Sequence, residues 1–237
     1  MPEAGVSGTE PLAPRPAAVL FDLDGTLVDS APDLAGAVND LRAERGLGSL
    51  PVRVLRAEVG SGARGMLRLG FGLAPDDAGF ADLRDAFLAR YDARKTQETD
   101  VFPAMRPVLA ALVDAGVPWG IVTNKASWLA EPLVAALPGL AASATLVCGD
   151  TAARAKPHPD PLLEAARRLG VAPSRCVYVG DDLRDVQAAH AAGMRAIVAH
   201  WGYLGTDAVV TEWKADRVAD APADLATMLD LNPPGLA

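Results

Sequence analysis

The segment Ala17-Ala18-Val19-Leu20-Phe21-Asp22-Leu23-Asp24-Gly25-Thr26-Leu27-Val28-Asp29-Ser30 sets a short apolar run against an abrupt cluster of aspartates and a glycine. Residues 17–21 are entered from a proline-rich tail and show no alternation, the pattern of a strand covered on both faces. In extended geometry residues two apart point to the same side, so Asp22 and Asp24 face one pocket with Cα atoms roughly 6 to 7 Å apart. Gly25 then permits the turn. Two carboxylates this close do not both stay ionised in an apolar pocket unless a cation joins them or one keeps a proton, and a divalent metal is the natural remedy. Taken alone, the segment also fits an Asp-rich turn that caps a helix.

Working outward, further unalternated apolar runs occur at Trp119–Val122, Thr145–Cys148, Cys176–Val179 and Arg195–Ala199. Between them lie helical patterns, at 107–115 with Val108, Leu109, Leu112 and Val113 spaced for one face, and at 160–169 with Leu162, Leu163, Ala166 and Leu169. Gly116 and Gly170 follow as stops. Strand and helix in alternation predict right-handed crossovers and a doubly wound, Rossmann-like α/β core with a parallel sheet. The core is expected over 17–30 and 100–237. Residues 31–99 differ: Leu34, Val38 and Leu41, then Leu83, Phe87, Leu88 and Tyr91, repeat at helical spacing, and no buried strand stands out. They are read as an inserted all-helical cap, placed where ligands bind in open α/β sheets. Residues 1–16, with six prolines and glycines and no apolar h-region, are read as a flexible tail.

The 237-residue chain is half apolar and carries 22 basic against 30 acidic residues, a formal charge of −8. That sign disfavours binding nucleic acid through counterion release, and no basic run offsets it. The longest uncharged run, 132–149, is broken midway by Pro138, Gly139, Ser143 and Thr145, so no membrane partner is expected either. Cys148 and Cys176 are 28 residues apart inside apolar segments, which suits buried free thiols and a reducing, cytoplasmic setting. The sequence distinguishes neither a monomer nor a homodimer.

Three further groups sit at or just past the ends of other expected strands. Thr123-Asn124-Lys125 offers a hydroxyl and backbone N–H groups that could cradle a phosphoryl group, or ordinary helix capping. Lys156-Pro157-His158-Pro159 forms a stiff loop from which Lys156 can reach inward or lie on the surface. Gly180-Asp181-Asp182-Leu183-Arg184-Asp185 adds carboxylates at the same sheet edge.

Together, Asp22-Leu23-Asp24-Gly25-Thr26, Thr123, Lys156 and Gly180-Asp181-Asp182 resemble, in order and context, the four motifs of haloacid-dehalogenase-superfamily hydrolases. The resemblance spans roughly 17–231, and its helical insertion is similar to that superfamily's cap. It implies that Asp22 attacks phosphorus to give an aspartyl-phosphate, while Asp24 protonates the leaving oxygen and then activates water. It further implies Mg²⁺ held by Asp22, the backbone carbonyl of Asp24 and Asp181, with Thr123, the Asn124 N–H and Lys156 binding the phosphate. Asp182 or Asp185 would orient Lys156 or a metal-bound water, with Asp185 preferred. True dehalogenases lack an aspartate at the place of Asp24, so Asp24 argues for phosphate chemistry.

In the insertion, Val59-Gly60-Ser61-Gly62-Ala63-Arg64-Gly65-Met66 combines close-approach glycines with one long donor, and Arg64 is a candidate partner for a substrate carboxylate, or simply a solvated arginine. The cap, Trp119–Lys125 and Cys148-Gly149-Asp150 resemble the phosphoglycolate phosphatase branch, whose relatives include N-acetylmuramic acid 6-phosphate phosphatases; Gly202-Tyr203-Leu204 and Trp213 are similar to the latter. The resulting expectation is a Mg²⁺-dependent phosphatase acting on a small-molecule carboxylated phosphate ester, first of all 2-phosphoglycolate. N-acetylmuramic acid 6-phosphate hydrolysis, a sugar phosphomutase and a catalytically silent binding module are the alternatives.

Overall fold

Each apolar run named above has a strand at its centre in a computed structural model of the chain, which describes residues 10–206 and 208–231. In chain order the elements begin with β1 (Ala18–Phe21), β2 (Val28–Asp29), α1 (Ala31–Glu44), α2 (Val52–Arg56), α3 (Gly62–Phe71) and α4 (Phe80–Arg94). Then come β3 (Asp100–Val101), α5 (Met105–Asp114), β4 (Trp119–Val122), α6 (Ser127–Ala136), β5 (Leu146–Val147) and α7 (Asp160–Leu169). The chain closes with β6 (Cys176–Gly180), α8 (Leu183–Ala191), β7 (Arg195–Ala199), β8 (Arg217–Ala219) and α9 (Asp224–Met228). No helix among the described residues is long and apolar enough to cross a membrane.

The chain divides into two compact units. The first comprises the described residues up to Leu27, Val101–Gly202 and those from Val209 onward. Its six-stranded sheet runs β5-β4-β1-β6-β7-β8, with every pair parallel. Phe21 stands in register with Ile121 on one side and Val179 on the other, so β1, β4 and β6 end at one edge. All residues of β1, β4 and β6 are buried, which is why they lack the polar alternation of a half-solvated strand. Phe21 meets Trp119 edge-on at 6.1 Å between ring centroids. From β1 the chain moves to β4 and β5 on one flank, then returns beside β1 at β6 and continues outward on the other. Strand order therefore reverses at β1, and the crevice beyond the carboxyl ends of β1 and β6 is where an open α/β sheet binds its ligand.

The expected tail at 1–9 lies outside the described residues. From Pro11 the chain is tied down rather than loose: Leu12 is buried and donates its N–H to the Met228 carbonyl at 2.8 Å. Arg195 also reaches the Ala13 and Pro14 carbonyls. Strand β8 has no counterpart in the sequence reading, because Arg217-Val218-Ala219 is three residues long and only Ala219 is buried.

The second unit comprises Val28–Asp100 and Tyr203–Ala208, of which residue 207 is not described. Its helices α1 to α4 bury Val38, Leu41, Leu55, Met66, Leu67, Phe87 and Tyr91 as a core of their own. Asp33, in the first turn of α1, is fully buried and its Oδ2 accepts from Glu98 N, Thr99 N and Thr99 Oγ1 at 2.8–3.0 Å. The boundaries differ from the expected 31–99 mainly through the segment from Tyr203. Its phenol oxygen accepts from the N–H groups of Ser30 and Ala31 at 2.8 and 3.0 Å and donates to Asp29 Oδ1 at 3.0 Å. The start of α1 is thus capped by Tyr203, whereas the Ser30 side chain makes no capping bond.

Candidate active site

Asp22 continues β1 by one residue, its N–H donating to the Val179 carbonyl of β6 at 2.9 Å. This last ladder bond fixes the backbone from which the Asp22 carboxylate projects at the sheet edge. Its Oδ1 accepts from Lys156 Nζ at 2.8 Å. Lys156 is buried, and four oxygens share its three N–H donors: Asp22, Asp185 at 2.8 Å, Tyr178 Oη at 2.7 Å and the Val122 carbonyl at 3.1 Å. An ammonium leaves water only when so enclosed by acceptors. Burial works against the Lys156 charge, but Asp185 and Asp22 outweigh it and hold the ammonium above the ordinary lysine range. Burial likewise pushes the Asp22 carboxyl up to about 7, the attraction of Lys156 opposing the shift and Asp185 adding to it. Tyr178, raised by burial and then by the same carboxylates, stays a phenol and its O–H donates to the Val122 carbonyl at 2.7 Å.

Helix α8 supplies the facing carboxylates. Asp182 is its N-cap and accepts from Arg184 N at 2.8 Å, while Asp185 Oδ2 reaches back to Asp182 N at 3.0 Å. This capping box turns Asp185 Oδ1 toward Lys156. The Asp182 carboxylate is taken by Arg184, which outweighs its burial and lowers its pKa. Asp181, at 3% exposure, accepts from Thr26 Oγ1 at 3.0 Å.

Asp22, Asp181 and Asp185 each offer a carboxylate oxygen within 4.8 Å of the other two. Three buried carboxylates facing one buried ammonium leave an excess of negative charge that a divalent cation would neutralise. An all-oxygen donor set suits a hard cation such as Mg²⁺. The donors present therefore fit the metal named from sequence. Asp24 is engaged differently, both of its oxygens lying 2.9 Å from Lys125 Nζ.

Thr123 follows β4, its N–H donating to the Val147 carbonyl, and is 2% exposed. The Asn124 side chain clamps the Lys156 loop in both directions, Nδ2 donating to the Lys156 carbonyl at 2.9 Å and Oδ1 accepting from Lys156 N at 3.0 Å. Gly149 presses on the backbone of Asn124 so closely that a Cβ there would stand 2.3 Å from the Asn124 carbonyl oxygen.

The structure thus brings Asp22, Asp24, Thr123, Asn124, Lys156, Asp181, Asp182 and Asp185 together on the first unit. Arg64 belongs to the second unit, exposed in the first turn of α3. Sequence reasoning assigned no part in the site to four residues that contribute to it. Tyr178 looks like one more apolar residue of β6, yet hydrogen-bonds Lys156. Lys125 passes as a surface lysine beside Thr123. Trp201 and Gly202 follow β7 at the sheet's carboxyl edge, a position that was Trp201's only signal, whereas Gly202 had entered only as a point of likeness to the muramic branch. Trp201 Nε1 donates to the Thr26 carbonyl at 3.1 Å, and a Cβ on Gly202 would fall 2.2 Å from Asp181 Cβ.

A family model described as haloacid dehalogenase-like hydrolase matches residues 16–193. A phosphoglycolate phosphatase of Xanthomonas campestris pv. campestris is 46% identical over 210 residues, covering 89% of this chain and 95% of the relative. An N-acetylmuramic acid 6-phosphate phosphatase of Pseudomonas aeruginosa is 39% identical over 213 residues, with coverages of 90% and 94%. Among solved structures, a predicted phosphoglycolate phosphatase from Haemophilus somnus aligns with a TM-score of 0.76 at 26% identity, covering 88% of this chain and 96% of that one.

Proposed function

The chain belongs to the haloacid dehalogenase-like hydrolase family and is a phosphoric monoester hydrolase; from that premise we propose that its ester is 2-phosphoglycolate, cleaved through a phosphoryl group carried on Asp22. The observation that carries the chemistry is the Asp22–Lys156 pair at the strand-order reversal, 2.8 Å apart. Holding Oδ1 fixes the rotation of the Asp22 carboxylate, so its other oxygen attacks phosphorus as the bond to the leaving oxygen breaks. Asp24 gives its proton to the departing alkoxide and then takes one from the water that cleaves the acyl phosphate, which regenerates both carboxyl groups. Thr123 Oγ1, the Asn124 N–H and Lys156 meet the phosphate oxygens, and removing one such donor costs about 3 kcal/mol of transition-state stabilisation. Asp22, Asp181 and the Asp24 carbonyl would hold Mg²⁺, with Asp185 orienting Lys156; when bound, the ion offsets charge on the transferring phosphoryl oxygens.

The choice of 2-phosphoglycolate is supported by the 46% identical relative named for it. We assign Arg64 to the ester's carboxylate, because a guanidinium in the first turn of a helix adds its charge to the positive end of the dipole and favours an anion. N-acetylmuramic acid 6-phosphate is the second reading, favoured by the 39% identical relative and likewise a carboxylated ester. The deciding experiment compares Mg²⁺-dependent phosphate release from both esters and from hexose phosphates, with Asp22→Asn as the blank. The highest kcat/KM on 2-phosphoglycolate, abolished in Asp22→Asn, supports the reading. A higher value on the muramic ester replaces the substrate and keeps the chemistry. Turnover surviving Asp22→Asn rejects both.

A further inference from the structure

Lys125 is the one ammonium at the strand ends for which the chemistry above has no use, yet it is not placed like a solvated lysine. Its Nζ lies 2.9 Å from each oxygen of Asp24, and the two side chains are only 8% and 18% exposed. The root of the side chain is equally constrained. Lys125 N–H donates to Thr123 Oγ1 at 3.1 Å, its carbonyl accepts from Gly149 N at 2.9 Å, and the preceding Asn124 is clamped to the Lys156 loop. A lysine carries a compact charge with three donors on a flexible stem, so it can address both oxygens of one carboxylate where its backbone is held.

The two lysines of this edge serve different aspartates: Lys156 contacts Asp22 and Asp185, whereas Lys125 contacts Asp24. Resting on the phosphatase reading above, we infer that Lys125 is a positioning residue for Asp24: it holds both carboxylate oxygens here, and when one of them carries the proton for the ester's leaving oxygen Lys125 keeps the other. Asp22 forms the bond to phosphorus, whereas Asp24 acts only where a proton moves. The work of Lys125 is therefore separable from that of Lys156 by the leaving group: an alkoxide departs only with a proton, an acetate departs without one.

The test uses the full chain with Mg²⁺ and two small esters, 2-phosphoglycolate and acetyl phosphate. The value of kcat/KM reports steps up to the departure of the leaving group, so the later attack of water does not enter. Lys125→Met is expected to lower kcat/KM on 2-phosphoglycolate by about tenfold or more beyond its effect on acetyl phosphate. Lys125→Arg, which keeps the charge and the donors, is expected to restore much of that ratio. Thermal unfolding of both variants within a few degrees of the parent verifies the fold. Equal losses on the two esters, or a rise confined to KM on both, would mean that Lys125 holds the loop or the phosphate, and overturn the proposal. No loss on either ester overturns it as well. A parent chain that releases phosphate neither from these two esters nor from N-acetylmuramic acid 6-phosphate, or an Asp22→Asn variant that hydrolyses both test esters, rejects the phosphatase reading and this inference with it.

Discussion

Asp22 sits where electrostatics and chemistry make opposite demands. Burial pushes its carboxyl up to about 7 against an ordinary value of 3.8, yet the nucleophilic role proposed for it requires the ionised form. A carboxyl whose folded pKa is raised stabilises the fold below its unfolded pKa, and that contribution is lost as pH climbs through about 7. A divalent cation held by the same carboxylates would take over from the proton above that point. Millimolar Mg²⁺ is therefore expected to raise Tm by about 5–10 °C at pH 8, as for a ligand near 100-fold excess over its Kd, and far less at pH 5. Asp22→Asn, which removes the buried charge, is expected to raise the metal-free Tm at pH 8 and to shrink the Mg²⁺ response. Equal Mg²⁺ shifts at pH 5 and pH 8 would contradict this assignment. The two thiols, pushed up to about 11 by burial, are expected to resist alkylation in the native chain at pH 8. At this scale the sequence was readable where a residue type is rare in its setting, as with aspartates at the end of an apolar strand. Tyr178 was not, because a tyrosine inside a buried strand looks like packing until its hydroxyl is seen against Lys156.

Helix α8 and the loops around β4 show how elements carry the site. Asp182 and Asp185 cap the same helix, but only Asp185 also pairs with a buried ammonium. Asp182→Ala is expected to cost about 1 kcal/mol, the value of a cap. Asp185→Ala is expected to cost about 3–5 kcal/mol because it deprives buried Lys156 of a partner, and urea unfolding of the two variants measures the difference. Gly149→Ala tests the loop: its Cβ would collide with the Asn124 backbone, so a cost of about 1–3 kcal/mol is expected. A shift of the loop by about 1 Å would bring a loss near 100-fold in kcat, although Gly149 bonds no substrate in the proposed mechanism. An unchanged rate would show that the loop yields without moving Asn124. Unalternated apolar runs located β4 and β7, and helical spacing located α7, to the residue. Neither pattern could give strand order, which depends on pairing partners far apart in the chain.

At the scale of the molecule the helical unit is built from two separated pieces of chain. A sequence reading by contiguous segments placed that unit at 31–99 and left Tyr203 as a point of likeness to a substrate branch. Nothing in periodicity announces that a residue at 203 caps a helix beginning at 31. Tyr203→Phe removes the oxygen shared by the Ser30 and Ala31 N–H groups and is expected to cost about 1–3 kcal/mol. Hydrogen exchange should then quicken in the first turn of α1 while the sheet of the other unit keeps its protection. Uniform loss of protection in both units would instead mark Tyr203 as a determinant of global stability. The same arrangement acts on the chain while it is being made. Residues 28–100 leave the ribosome some hundred residues ahead of Tyr203, an interval of about 5–20 s at cellular rates of synthesis. For that time the nascent helical unit exists without the phenol that caps its first helix, so its completion is timed by the translation of the sheet that follows it.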